Sequence, residues 1–183
     1  MNGNAFYLNG QYMPYYNIIV NIAQSVGCQN FLELGLADGV NHKSMLRVVP
    51  NCVGVDIAKK FEGDIPRFYQ MTTDEFFEQN TEKFDIIFID AWHRFDQVKI
   101  DFENSLKCLE ERGIIFFHDT DPYDEHMLID SLAADSYKIA DYVRKEHPEF
   151  DFVTLPVSSM GLSMCNRRND ARHLKFTKLS FKI

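Results

Sequence analysis

The sequence predicts an α/β domain in which a mostly parallel sheet carries helices on both faces. Two observations predict it. Short, near-continuous apolar runs of strand length alternate with longer segments whose apolar residues recur at helical spacing, the grammar of a sheet covered on both sides. The chain of 183 residues also shows no linker, internal repeat or low-complexity stretch, so residues 1–183 are expected to form a single domain.

The first dozen residues, rich in Asn and Gly, read as a loose start interrupted by Phe6, Tyr7 and Leu8. A helix is expected from Pro14, with Ile18, Ile19, Ile22, Ala23 and Val26 at helical spacing and Gly27 as its stop. The first strand, Asn30 to Leu34, leads into the glycine-punctuated turn Gly35-Leu36-Ala37-Asp38-Gly39 and a helical segment containing Met45, Leu46 and Val48. Pro50 and Asn51 end that segment, and Cys52 to Asp56 is the second strand. Phe68 to Met71 is the third, followed by Thr72 and Glu75 at the spacing of a capping box. Phe84 to Asp90 is the clearest central strand. A helix with Phe95, Val98, Phe102, Leu106 and Leu109 on one face follows, and after Gly113 comes the strand Ile114 to Phe117. Beyond Pro122, the spacing of Leu128, Leu132, Ile139 and Val143 predicts a long helix ending before Pro148. Phe150–Leu155 and Leu162–Cys165 complete seven strands, joined by a turn around Ser158 to Gly161.

A formal charge of −8 argues against a broadly basic face for nucleic acid. The segment from Arg167 to Lys182 is basic against a single acid, Asp170, and reads as a solvated extension or a phosphate or subunit contact. The 16 Phe suit packing, with a pocket or interface using part of them. Cys28, Cys52, Cys108 and Cys165 lack metal-ligand spacing and are expected as buried free thiols in a reducing compartment. No leader-like or membrane-spanning stretch is present in the sequence, so a cytoplasmic location is expected.

Ligands of a doubly wound sheet bind beyond the carboxyl ends of its strands, where the chemistry-bearing residues of this sequence collect. The turn holding Gly35 and Gly39 lacks the GxGxxG pattern, which favours a smaller nucleoside-bearing ligand over a pyrophosphate. Asp56 ends the second strand, where an acid accepts hydrogen bonds from ribose hydroxyls or caps a helix. Glu33 lies in an apolar strand and needs a partner: a ligand ammonium, a backbone donor or a structural salt bridge. Asp90 closes the fourth strand and His118-Asp119 the fifth. Adjacent strands lie about 4.8 Å apart, so Asp90 and Asp119 are placed to share a small cation, Mg²⁺ or Mn²⁺, with His118 or Thr120 within reach. An imidazole ligand tilts the preference towards Mn²⁺ or Fe²⁺. His93 is placed to act as general base, as a metal or substrate contact, or structurally. Trp92 is a candidate lid or a core residue, and His42 and Lys43 either approach the cofactor or cap their helix. His126, His147 and His173 are read as structural.

The segments Phe31 to Gly39, Gly54-Val55-Asp56, Phe84 to His93 and Gly113 to Thr120 together resemble the class I S-adenosylmethionine-dependent methyltransferases. The resemblance spans residues 14–166, leaving 167–183 as a basic extension, and is strongest to the small enzymes related to macrocin and catechol O-methyltransferases and to cephalosporin hydroxylase-like proteins. It implies a Rossmann-like sheet in the order 3-2-1-4-5-7-6 with the last inserted strand antiparallel. It further implies S-adenosylmethionine as cofactor, with Glu33, Gly35, Ala37 and Gly39 at its methionine end and Asp56 at the ribose. Thr72, Thr73 or Asp74 would lie by the adenine, with Asp90 and Trp92 also in contact. Asp90, His118 and Asp119 match metal positions, and His93 stands where the catechol enzymes carry a basic lysine, so His93 and Asp90 are the catalytic candidates. The implied reaction is transfer of a methyl group to a hydroxyl of a small molecule or sugar, in a protein whose acceptor wall a second subunit is able to complete. The alternatives are a non-catalytic binding protein on the same fold and another Rossmann-type nucleotide-ligand enzyme.

Overall fold

The computed structural model describes residues 7–8, 11–12, 14–157 and 160–168. Strand β1 (Asn30–Leu34) lies in the middle of a seven-stranded sheet, parallel to both β2 (Asn51–Asp56) and β4 (Phe84–Ile89). β3 (Phe68–Gln70) extends the sheet beyond β2, and β5 (Leu109–His118) beyond β4, both in parallel. The chain then runs through β6 (Phe150–Leu155) to β7 (Leu162–Arg167), which inserts antiparallel between β5 and β6. The order is therefore 3-2-1-4-5-7-6, as the resemblance implied. A separate antiparallel pair, Tyr7–Leu8 with Gln11–Tyr12, precedes it.

Side chains alternate across a pleated strand, and the apolar runs therefore feed two cores. On one face Leu32, Leu34, Val53, Val55, Ile87, Ile89 and Phe117 pack with Phe76 of α3 (Thr73–Gln79), Val98 and Phe102 of α4 (Phe95–Cys108) and Val143 of α5 (Ile139–Glu146). On the other, Phe31, Ile86, Phe88 and Phe116 meet Ile19 and Ala23 of α1 (Tyr15–Val26) and Met45 of α2 (Val40–Met45). α1 ends at Gly27, whose φ of 70° closes the helix as expected. Thr72 and Glu75 form the reciprocal capping box at the start of α3. All four cysteines are buried free thiols, and burial pushes Cys108 up to about 11 and the other three to about 12.

The long helix expected after Pro122 does not form. Residues Glu125–Met127 and Ser136–Lys138 are single 3₁₀ turns, and only Ile139–Glu146 is α-helical. The apolar spacing misled because Leu128 and Ile129 are exposed rather than packed, while Ala134 sits at φ 44° and interrupts any ladder. The α2 segment is also shorter than expected, with Leu46 and Val48 in turns after Met45. β5 starts earlier, at Leu109, and reaches its main register through an irregularity opposite Phe84 to Ile86. Part of the expected turn at Ser158 and the basic extension beyond Arg168 lie outside the described residues.

One polar residue sits against this logic. Asp101 is fully buried on the inner face of α4; Gln97 donates to its Oδ1 at 3.1 Å, while its Oδ2 and the nearby Ser105 Oγ have no partner. Burial raises its pKa to about 6, against the pull of Thr73 and Gln97. A carboxyl whose folded-state pKa is raised holds its proton longer when folded. Its contribution is complete below the unfolded value near 4 and is lost as the pH rises through about 6. Asp101→Asn should therefore stabilise the protein at pH 7.5 by up to about 3 kcal/mol and have little effect at pH 4, measured by urea denaturation at both values.

Candidate active site

The C-terminal ends of β1, β2, β4 and β5 form one edge, and their backbones are locked together there. The Gly35 N–H donates to the Val55 carbonyl and the Asp90 N–H to the Leu34 carbonyl, each at 2.8 Å. Gly35 lies at φ 86°, and a Cβ there would stand 2.1 Å from the Asp90 carbonyl oxygen, so only glycine fits. The turn behind it is folded by Asp56. One carboxylate oxygen accepts from the N–H groups of Leu36 (2.8 Å) and Ala37 (3.2 Å), and the other from Ala58 (3.0 Å). Gly39, at φ 74°, begins α2 against Phe61 and Ile65.

Glu33 is buried, and its two oxygens meet Asn41 Nδ2 and His42 Nδ1, each at 2.9 Å. Burial raises the Glu33 pKa, opposed by the contact with His42. Of the readings for Glu33, the structure thus contains the salt bridge. His42 neither caps α2 nor reaches outward: the capping position is Gly39, and the ring is completely buried. Lys43 instead donates to the Glu62 carbonyl at 3.0 Å and lies over the Phe61 ring. At the end of β3, Thr72 is occupied by its capping box, while Thr73 Oγ1 and Asp74 Oδ1 both accept from Gln97 of α4. Trp92 is 62% exposed, which removes the core-packing reading for it. His147 pairs with Glu103 at 2.7 Å and His126 is exposed, both away from this edge; His173 lies outside the described residues.

Because β4 and β5 are neighbours, Asp90, His93, His118 and Asp119 converge. His93 Nε2 stands 3.4 Å from Asp90 Oδ1 and 3.0 Å from Asp119 Oδ2. His118 Nδ1 stands 3.4 Å from Asp90 Oδ1 and 2.9 Å from Asp119 Oδ1. Asp90, His93 and Asp119 each offer a donor atom within 4.8 Å of the others; the set expected from the sequence had His118 in the place of His93. Asp119 is 1% exposed with φ 59°, a left-handed conformation that is strained for a non-glycine residue, and its Oδ1 has no hydrogen-bond partner among the described residues. Burial opposes charge on both histidines, but the Asp90 and Asp119 carboxylates prevail, lifting His93 to about 8 and His118 to about 10. Burial also opposes the charge on Asp90, yet the histidines hold its pKa below the usual value. A cation entering such a cluster displaces protons.

The sequence reading missed Tyr15. Its ring lies 4.3 Å from that of His118, and its hydroxyl is held protonated by burial and by the charges of Asp90, Glu33 and Asp119. Only its place just after Pro14 marked it, and nothing in that pattern points to the sheet edge. A cavity of about 500 Å³ begins at Thr120, the residue after Asp119, and is walled by Tyr123, Leu128, Tyr137 and Arg144.

Residues 32–120 match the family model described as a methyltransferase domain, and the sheet order is that of the Rossmann-like methyltransferase fold. The chain is similar to the O-methyltransferase from Bacillus cereus in complex with SAH, at TM-score 0.66 and 19% identity, with 86% of this chain and 83% of that one covered. It is also similar to the O-methyltransferase TomG from Streptomyces achromogenes in complex with SAM (0.65, 15%, 85% and 80%). A third similarity is to the N-methyltransferase NodS from Bradyrhizobium japonicum (0.59, 14%, 85% and 94%). No curated protein sequence matches the chain. Proteins named as O-methyltransferases and as an N-methyltransferase thus share this fold, which by itself does not fix the acceptor.

The close approach at the strand ends carries a quantitative expectation. Gly35→Ala should cost at least about 3 kcal/mol, since it combines a left-handed backbone with a collision against main chain. Gly27→Ala, with an equally left-handed φ but nothing within 4 Å of the new Cβ, should cost about 1 to 2 kcal/mol. Urea denaturation of the two variants measures the difference.

Proposed function

We propose that the protein transfers a methyl group from S-adenosylmethionine to a hydroxyl of a small molecule or sugar, assisted by a divalent cation. The observation that carries this reading is the convergence of Asp90, His93 and Asp119 on the strand ends of a methyltransferase domain. The donor set fits a small divalent cation: an imidazole and two carboxylates, one of which, that of Asp119, is buried. Such a site chelates oxygen in preference to an amine, which favours a hydroxyl acceptor.

On this reading the turn from Gly35 to Gly39 receives the methionine end of the cofactor. Asp56 serves twice: it already folds the turn through the Leu36 and Ala37 N–H groups, and its remaining lone pairs take the ribose hydroxyls. Thr73 and Asp74 edge the adenine site, with the exposed Trp92 free to cover the cofactor or acceptor. Glu33 acts through its buried partners, fixing α2 behind the turn. Asp90 and Asp119 would hold the cation, which when bound would lower the pKa of an acceptor hydroxyl and stabilise developing negative charge on its oxygen. In the displacement the acceptor oxygen bonds to the methyl carbon as the sulfur–carbon bond breaks, releasing S-adenosylhomocysteine; the hydroxyl proton is lost to water or a nearby base. The chain's own contribution is alignment of oxygen, carbon and sulfur. Tyr123, Tyr137 and Leu128 beside Thr120 offer an apolar wall to the acceptor. No described helix is long and apolar enough to cross a membrane.

Isothermal titration calorimetry with S-adenosylmethionine tests the assignment. Micromolar-range binding to the wild type, and loss of at least about tenfold in affinity (about 1.4 kcal/mol) for Asp56→Asn, is the expected result. Absence of binding with and without Mn²⁺ would overturn it in favour of a non-catalytic protein on this fold.

A further inference from the structure

We propose that His93 is a ligand of the cation rather than a free base, so that the metal centre is Asp90–His93–Asp119, and that His118 is a positioning residue behind it. The proposal rests on the metal-assisted reading above.

The contacts around His93 carry the argument. Its Nε2 stands 3.0 Å from Asp119 Oδ2 and 3.4 Å from Asp90 Oδ1, close to the ~3 Å between neighbouring donors on a cation with bonds of about 2.1 Å at right angles. Asp90, His93 and Asp119 each place one donor atom within 4.8 Å of the other two, close enough to share a small cation. The other nitrogen of the ring, Nδ1, donates to the Leu132 carbonyl. This places the neutral ring's proton on Nδ1 and its lone pair on Nε2, facing the carboxylates. Ligating histidines are oriented in just this manner, by a carbonyl or carboxylate on the opposite nitrogen. A ring so anchored is poorly suited to follow an acceptor hydroxyl as a mobile base.

Asp119 is built for the same centre. Its strained backbone turns the carboxylate inward, and Ser136 Oγ donates to its main-chain carbonyl, holding that turn. His118 differs from His93 in kind. Its Nδ1 lies beside both carboxylates, but its Nε2 is buried with no partner and its ring packs on Tyr15. It stands outside the set of three mutually close donors. Its role is to fix the carboxylates from behind. One imidazole and two carboxylates select Mn²⁺ or Fe²⁺ over Mg²⁺.

Mn²⁺ binding to the full chain, followed by calorimetry and by pulsed electron paramagnetic resonance for coupling to histidine nitrogen, tests this without an acceptor. The wild type should bind Mn²⁺ with a nitrogen coupling, and prefer it to Mg²⁺ by at least about tenfold. His93→Ala should lose the coupling, weaken Mn²⁺ by more than about 100-fold, and lose most of the preference over Mg²⁺. His118→Ala should keep the coupling while weakening binding by roughly 10- to 100-fold, and His118→Asn, which restores a donor near Nδ1, should recover most of that loss. If His93→Ala fails to fold by circular dichroism, His93→Gln replaces the imidazole with a polar side chain and should lose the coupling equally. Coupling that persists in the His93 variant, or vanishes only in the His118 variant, overturns the proposal, as does a wild type without nitrogen coupling. A wild type that binds no Mn²⁺ overturns it too, and S-adenosylmethionine binding in the same preparation then decides whether the methyltransferase reading survives.

Discussion

Gly35 and the Asp90 carbonyl touch where the chain's direction of winding reverses, and that contact couples the two halves of the site. β1 leads outward to β2 and β3 on one side and pairs with β4 on the other. Its exit turn therefore has to pass over the end of β4 at main-chain distance, with no room for a side chain. The same backbone that shapes the glycine turn thereby sets the height of Asp90. A shift in the glycine turn is transmitted to the carboxylate cluster through atoms that cannot rotate out of the way, which is how a packed interior carries strain.

The buried polar groups fall into two kinds with different consequences. Both oxygens of Glu33 are paired behind the turn, by Asn41 and His42, while Asn41 Oδ1 and His42 Nε2 have no partner among the described residues, and removing either neighbour would leave the buried carboxyl without compensation. They stiffen α2 against β1 at a desolvation cost. The carboxylates and histidines at the ends of β4 and β5 differ in access: only Asp119 is buried, while Asp90, His93 and His118 are half-buried. Both clusters contain polar atoms without a partner among the described residues, but only the second gathers its donor atoms where a ligand can reach them.

The central strands were legible in the sequence because each needs burial on both faces, and such runs as Phe84 to Ile89 have few other uses. Asp90 and Asp119 were legible for the same reason: strand ends are easy to find, and adjacency of the fourth and fifth strands brings them together. The partners of Glu33 were less so, since the spacing to Asn41 and His42 becomes a contact only after α2 turns back over β1. Tyr15 reaches His118 from α1, which packs on the face of β5 that His118 shares with Phe116, a relation between distant segments that no local pattern encodes.

The failed helix and the placement of His93 have a common origin. Had residues 128–143 been helical, the Leu132 carbonyl would have accepted from the Ser136 N–H four residues on. In the structure Ser136 N–H turns instead to Ala133, and the freed Leu132 carbonyl accepts from His93. The Ser136 hydroxyl, released to point towards the sheet, holds the carbonyl of Asp119, and the Asp135 carboxylate takes the Phe95 N–H at the start of α4. Apolar spacing predicts a helix when it is the only demand on a segment. Here the segment's backbone orients one imidazole and one aspartate, and the irregularity that defeats the helical pattern is what holds His93 Nε2 beside the two carboxylates that His118 Nδ1 also approaches.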